Sequence, residues 1–68
     1  MTTEIDAAKL KHLLGHWIEH NDSHSKSFKE WADKVKAAGY DELAKDILLA
    51  DEKMNECSDL LKTASEKI

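Results

Sequence analysis

The four histidines of this chain follow one another at a constant interval of four residues, as His12, His16, His20 and His24. Residues four apart lie on neighbouring turns of one helix face, so on a continuous helix these imidazoles form a ladder. Neutral imidazole is the commonest protein ligand for transition metals, and it titrates near physiological pH. The spacing therefore predicts a metal site or a pH-responsive surface, with a plain solvated helix face as the third interpretation.

No helix can aim all four rings at one ion, because side chains four residues apart are rotated by about 40° around a helix of 3.6 residues per turn. Two rings on consecutive turns can chelate one divalent ion, as helical His-x-x-x-His pairs do. The candidate pairs are His16 with His20 and His20 with His24, and the predicted ions are Ni²⁺, Co²⁺ and Zn²⁺. A second copy of the chain could complete the coordination, as could three nearby candidates: Glu19, Asp22 and Cys57.

Catalytic patterns do not accompany these histidines. Zincins carry Glu directly after the first His, and di-iron bundles use Glu-x-x-His; neither spacing occurs in this sequence. We therefore expect a non-enzymatic protein. If the ladder lies at a dimer interface, protonation of its imidazoles would loosen the dimer below about pH 6.

Length and composition limit the fold and the partners. The 68 residues allow one domain, and a chain without Pro and with only Gly15 and Gly39 favours an all-α protein. The net charge is −4 and arginine is absent, which argues against a nucleic-acid partner. No apolar run has the length of a membrane span, and no signal-peptide pattern is visible, so we expect a cytoplasmic protein.

Apolar residues in the first half of the chain recur in steps of three and four, which predicts a long helix. Thr2 or Thr3 can cap its start, with Glu4 and Asp6 in the first turn. We expect Gly15 to permit close helix packing, and the tryptophans to anchor the core. The predicted heptad seam consists of Leu10, Leu14, Trp17, Asn21, His24, Phe28, Trp31, Val35 and Ala38.

A second helix follows after a turn at Gly39, which suits a left-handed C-terminal position. Asp41 is its expected N-cap. Its seam continues to the C-terminus and includes Cys57 as a small core residue. The predicted positions are Leu43, Ile47, Ala50, Met54, Cys57, Leu61, Ala64 and Ile68.

The segment from Asn21 to Ser25 is rich in residues that favour caps and turns. A break there would give a three-helix bundle with helices at roughly 4–20, 24–38 and 41–67. A helix of only 24–38 would leave the C-terminal apolar residues uncovered, because it rises about 1.5 Å per residue. We therefore favour an antiparallel hairpin with one long first arm, either straight or kinked at 21–25, and interpret Ser25 as a turn or surface residue.

A second apolar stripe lies beside the predicted seams, formed by Leu13, Ile18, Ala32, Leu48 and Leu60. A lone hairpin would expose this stripe, and two hairpins would cover it in a four-helix bundle. We therefore expect a homodimer, with a monomer or a different protein partner as the alternatives. Asn21 and His24 should lie level with Asn55, Cys57 and Ser58, so that both seams turn polar at one height.

The run from His16 through His20 and His24, followed by Phe28 and Trp31-Ala32, resembles small helical modules of anaerobic bacteria and archaea. Some of these modules accompany proteins that handle nickel or cobalt. The resemblance implies that His16, His20 and His24 belong to one shared site. It implies no catalytic activity.

Overall fold

The computed structural model describes residues 5–68, which form two helices and no strand. Helix α1 spans Ala7–Ala37 and helix α2 spans Asp41–Ser65. A short turn reverses the chain, and the helices pack against each other as a hairpin measuring 57 × 19 × 14 Å. The predicted all-α hairpin is confirmed. Neither of these helices contains a stretch long and apolar enough to cross a lipid bilayer.

Helix α1 continues through Asn21–Ser25 without a break, so the three-helix alternative is wrong. The polar side chains of this segment find partners on α2 instead of turning back onto their own backbone. Ser25 is buried and donates a hydrogen bond to Asp51, while the amide of Asn21 lies 3.6 Å from the Cys57 sulfur. Tertiary contacts thus override the local preference of these residues for turns.

The helix ends follow general capping rules, although two predicted residues are displaced. Asp6 is the N-cap of α1, not a residue of its first turn, and its carboxylate accepts the Lys9 N–H at 2.8 Å. The expected caps, Thr2 and Thr3, and the expected first-turn residue Glu4 lie outside the described residues. Asp41 is the first residue of α2, because Tyr40 occupies the N-cap position without a side-chain hydrogen bond.

The turn between the helices is a Schellman motif, with Gly39 at a φ of 95°. The Tyr40 N–H donates to the Val35 carbonyl at 2.9 Å, and the Gly39 N–H donates to the Lys36 carbonyl at 3.0 Å. A side chain is disfavoured at this φ, so the sequence signal at Gly39 is confirmed. Asp41 and Glu42 then lie in the first turn of α2, where acidic groups are favourable.

The surface between the helices, which we call the seam, has small and polar side chains at its fully buried positions and mainly large apolar ones at its half-buried positions. Its buried residues are Ser25, Ala32, Ala44, Asp51 and Ser58. Half-buried residues complete its heptad pattern: Leu14, Ile18, Asn21, Phe28 and Val35 of α1, with Ile47, Met54 and Leu61 of α2.

In its middle part the predicted seam is wrong at every second position, because each helix is rotated toward its small residues, whereas Leu10 and Ala64 near its ends are half-buried. On α1, Trp17, His24 and Trp31 are exposed, and their neighbours Ile18, Ser25 and Ala32 face α2 instead. On α2 the residues displaced from the seam are likewise exposed: Leu43, Ala50 and Cys57. Small side chains let two helices approach closely, which explains why they face each other. The predicted role of the tryptophans as anchors of a hairpin core is therefore wrong.

The second apolar stripe is divided by the same rotation. Ala32 is buried and Ile18 is half-buried in the seam, contrary to prediction, whereas Leu13, Leu48 and Leu60 are exposed. Gly15 does not mediate close packing either. A Cβ placed there would meet no atom within 4 Å outside its own helix backbone and chain neighbours.

Candidate functional site

The histidine ladder exists because α1 continues past residue 21. All four histidines are exposed on this helix. The rings of His16 and His20 are parallel with their centroids 6.4 Å apart, and those of His20 and His24 meet edge to face at 4.5 Å. His24 also stacks on Phe28 at 6.1 Å. The structure thus brings His16, His20 and His24 together as successive neighbours, with His20 common to both pairs.

The ladder offers pairs of ligands, not a complete coordination sphere. Within residues 5–68 no group of three or more His, Cys, Asp or Glu side chains is arranged to hold a metal ion. Cys57, a predicted completing ligand, contacts Asn21. Glu19 and Asp22 are exposed on the same helix as the histidines. One hairpin can therefore supply two imidazoles to an ion, and the remaining positions are left to water or another chain.

A polar cluster lies at the middle of the seam, where both helices carry polar residues. It consists of Ser25, Asp51, Asn55 and Lys29. The Ser25 hydroxyl donates to the buried Asp51 carboxylate and lies 3.3 Å from the Asn55 carbonyl oxygen. The Lys29 ammonium reaches the other Asp51 oxygen at 3.9 Å from a largely exposed side chain. The prediction that the helices turn polar at one height is confirmed for Asn21, Asn55 and Cys57, but Ser25 replaces His24.

Sequence reasoning missed both Ser25, which it interpreted as a turn or surface residue, and Asp51, which it did not single out. The available signal was their spacing. Ser25 lies seven residues before Ala32, and Asp51 lies seven after Ala44, so each shares a heptad position with a buried alanine. Ser58 continues the same position on α2, and its buried hydroxyl has no hydrogen-bond partner among residues 5–68.

A stripe of large apolar side chains runs along one side of the hairpin, and we call it the tryptophan flank. Trp17 and Trp31 remain 44% and 55% exposed. The flank has seven-residue spacing, which keeps its members on one helix face. Its α1 residues are Leu10, Trp17, His24, Trp31 and Ala38. Its α2 residues are Leu43, Ala50, Cys57 and Ala64.

The tryptophan flank contains neither a carboxylate nor a lysine, in a chain where 35% of residues are charged. At its margin, the Lys34 ammonium lies 4.6 Å from the centre of the Trp31 ring, a cation–π distance. The opposite side of the hairpin, which we call the charged flank, has a different composition. It consists of Asp22, Lys29, Lys36, Leu48, Asn55 and Lys62.

The sequence pattern of the family described as "Domain of unknown function (DUF8180)" matches residues 10–68. This chain belongs to that family. A protein of Archaeoglobus fulgidus named "Uncharacterized protein" is 40% identical to it over 60 residues, which cover 88% of this chain and 95% of that protein. No solved structure matches the chain.

The region that matches the DUF8180 pattern begins at Leu10 and includes the ladder, the polar cluster and the tryptophan flank. Neither the description of the family nor the name of the archaeal relative mentions nickel, cobalt or another metal. The association with nickel or cobalt proteins that the resemblance implied therefore stays a prediction.

Proposed function

We propose that this protein is a non-catalytic helical interaction module whose tryptophan flank packs against another polypeptide chain. The observation that carries the proposal is that small and polar residues are buried while the largest aromatic residues are exposed, which is the reverse of the usual pattern. The hairpin buries Ala32, Ala44 and three polar residues, and it leaves both tryptophans about half exposed. Large aromatic side chains contribute the most free energy when they are buried, so a lone hairpin leaves much of that contribution unused.

The chemistry of the flank fits a contact between proteins. A contiguous apolar stripe without charges is unusual on a soluble monomer, and such stripes commonly mark interaction surfaces. Tryptophan is among the residues most enriched at the energetic centres of interfaces. Trp17 and Trp31 lie seven residues on either side of His24. The flank therefore offers two anchors, separated by four turns of a rigid helix.

The test uses two double variants with matched charge changes. Trp17→Glu/Trp31→Glu places carboxylates on the flank, and Leu48→Glu/Leu49→Glu places them at exposed positions outside it. Each tagged protein is used to isolate bound chains, its own copies included, and binding is then reconstituted from purified components. We expect reconstituted binding by the wild type and the Leu48/Leu49 variant, and none by the tryptophan variant. Equal binding by all three would contradict the proposal.

A second candidate function is divalent transition-metal binding through His16, His20 and His24, and the ring geometry supports it. His20 has a neighbouring imidazole on each side, at 6.4 and 4.5 Å between centroids. Imidazoles one helical turn apart can chelate one ion. The proposed ions are Ni²⁺, Co²⁺ and Zn²⁺, with the remaining positions filled by water or by a second chain.

Calorimetric titration of the metal-free protein with each ion tests this candidate. His20→Ala removes the ring common to both pairs, whereas His12→Ala removes the end of the ladder and serves as the control. We expect a Kd of about 10 µM or tighter for one of the ions, corresponding to about −7 kcal/mol, lost in His20→Ala and kept in His12→Ala. Millimolar binding that is equal in all three proteins would contradict a metal function.

A further inference from the structure

We infer that the occupant of the tryptophan flank is a second copy of this chain, with α1 of each copy packed against α2 of the other in a four-helix bundle. The inference rests on the proposed interaction function and specifies its partner. Two features of the structure lead to it: the flank carries both tryptophans on α1 and mostly small side chains on α2, and Lys34 at its margin comes level with Asp46 in this arrangement.

The flank continues the heptad pattern of the seam. The seam uses two heptad positions of each helix, and the flank adds a third position beside them along almost the whole length of both helices. Three apolar positions in seven are typical of helices in bundles, whereas a lone helix pair needs only two. The pattern therefore predicts two further helices, which is the number that a second hairpin supplies.

The contacts of the seam fix the relative heights of residues on the two helices. Ser25 contacts both Asp51 and Asn55, and Asn21 contacts Cys57. His24, which lies one turn after Asn21, is therefore level with the gap between Ala50 and Cys57. Two further turns toward either end, Trp17 is level with the gap between Cys57 and Ala64, and Trp31 with the gap between Leu43 and Ala50.

Side-chain volume favours the crossed arrangement. When α1 lies on α2 of the second copy, each tryptophan enters a gap that is bordered by at least one alanine, and His24 enters the gap between Ala50 and Cys57. When α1 instead lies on α1, Trp17 meets Trp31 of the second copy, and Ala50 of α2 meets Cys57. That alternative makes one side of the bundle too thick and the other too thin for the packing density of protein interiors.

Charges at the margins of the flank favour the same arrangement. Lys34, which lies beside the Trp31 ring, would come level with Asp46 of the second copy. In the alternative, with α2 on α2, Lys53 would lie close to Lys53 of the second copy, and like charges at an interface are unfavourable. The crossed arrangement is also a closed two-fold dimer, because each α1 covers the α2 that the other copy exposes.

The available area is sufficient for a stable dimer. The hairpin is 57 Å long and 19 Å wide. A standard-sized interface buries about 800 Å² on each partner, and a second hairpin laid along this face can cover such an area. The charged flank has comparable dimensions, but covering it would remove the exposed Asp22, Lys29 and Lys36 from water, which costs free energy.

The first test is the mass of the full chain in solution, measured by analytical ultracentrifugation over a range of concentrations. We expect twice the 7.7 kDa mass of the chain for the wild type and for Leu48→Glu/Leu49→Glu. For Trp17→Glu/Trp31→Glu we expect the Kd of the dimer to rise at least about a hundredfold. Both tryptophans lie on the flank, so their fluorescence should shift to shorter wavelength as the wild type associates.

Three results would overturn the inference. They are a wild type that is monomeric and folded at all concentrations, a tryptophan variant that dimerises as the wild type does, and a melting temperature of the wild type that does not rise with concentration. The last measurement covers the case in which the tryptophan variant fails to fold. A monomeric wild type that still binds another chain through the flank would contradict the second copy alone and leave the proposed function standing.

The arrangement of the helices is tested with two cysteine variants under mild oxidation. In the crossed arrangement, His24→Cys lies near Cys57 of the second copy, so we expect a covalent dimer, which His24→Cys/Cys57→Ser should lose. If α1 lies on α1, residue 24 faces its own equivalent and the covalent dimer should persist without Cys57. Persistence in that double variant would therefore overturn the crossed arrangement.

Discussion

The seam and the tryptophan flank are neighbouring surfaces of the same two helices, and they are built in opposite ways. The seam is closed and contains alanines, serines and a buried carboxylate. The flank is open and carries both tryptophans of the chain. Small side chains allow the two helices to approach closely, whereas large ones suit the wider space that the proposed contact with a second copy would provide. Side-chain size, more than hydrophobicity, therefore determines which of the two surfaces the single hairpin buries.

The same comparison explains why the hairpin needs specific polar contacts. A short chain buries proportionally little apolar surface, and the large side chains of this seam are only half-buried. Hydrogen bonds between Ser25, Asp51 and Asn55 occupy the middle of the seam and join the two helices at a defined height. A polar layer of this kind fixes the register of an antiparallel pair. Substitutions in this layer therefore test the stability of the hairpin, whereas substitutions in the flank test its association with another chain.

The largest effect on stability is expected from Ser25→Ala. The change removes the hydroxyl that donates to the Asp51 carboxylate, which is 5% exposed. A buried charged acceptor that loses its donor costs about 2 kcal/mol. We expect the free energy of unfolding to fall by that amount in urea titrations monitored by circular dichroism. The control is Ser27→Ala, at an exposed position one half-turn away.

Replacing both partners sharpens this prediction. In Ser25→Ala/Asp51→Leu no carboxylate remains to be satisfied, and leucine has nearly the shape of aspartate. We expect the double variant to recover most of the stability lost in Ser25→Ala, because the cost of an isolated buried charge is removed. If Ser25→Ala is as stable as Ser27→Ala, the hydrogen bond does not hold the seam together.

The two glycines give smaller effects of opposite sign. Gly15→Ala should raise the free energy of unfolding by about 1 kcal/mol, because alanine is the better helix former. The added methyl group meets open space. Gly39→Ala should lower it by about 1 kcal/mol, because its φ of 95° is disfavoured for a residue with a Cβ. Thermal unfolding of the two variants beside the wild type measures both shifts, and a destabilising Gly15→Ala would show that an unseen neighbour approaches this helix face.

Much of the hairpin could be predicted from the sequence, because its signals are local. The apolar period marks both helices, and Gly39 marks the turn between them. The rotation of the helices could not be predicted in the same way. Each helix has three adjacent apolar or small heptad positions, and a helix pair covers only two of them. Ala32 and Ala44 decide which two, through a preference for close approach that hydrophobicity alone does not reveal.

The candidate sites also differ in whether local sequence signals are enough to predict them. The ladder follows directly from the spacing of the histidines once α1 is continuous, and the structure brings its neighbouring rings together. The tryptophan flank contains residues that the sequence assigned to the core of the hairpin. Its position depends on the rotation of both helices, which is a property of their packing. The polar cluster was hidden for the same reason, because Asp51 resembles the surrounding surface carboxylates until α2 is oriented.

The smallest effect is expected at the edge of the polar cluster, where it tests which partner of Asp51 matters. The Lys29 ammonium lies 3.9 Å from the carboxylate, but the lysine side chain is 61% exposed. Water and salt screen such a pair, so Lys29→Gln should lower the free energy of unfolding by less than about 0.5 kcal/mol. Urea titrations at low and high salt measure this loss, and it should vanish at high salt. A loss as large as that of Ser25→Ala at both salt concentrations would instead mean that the ammonium, and not the serine hydroxyl, compensates the buried charge of the seam.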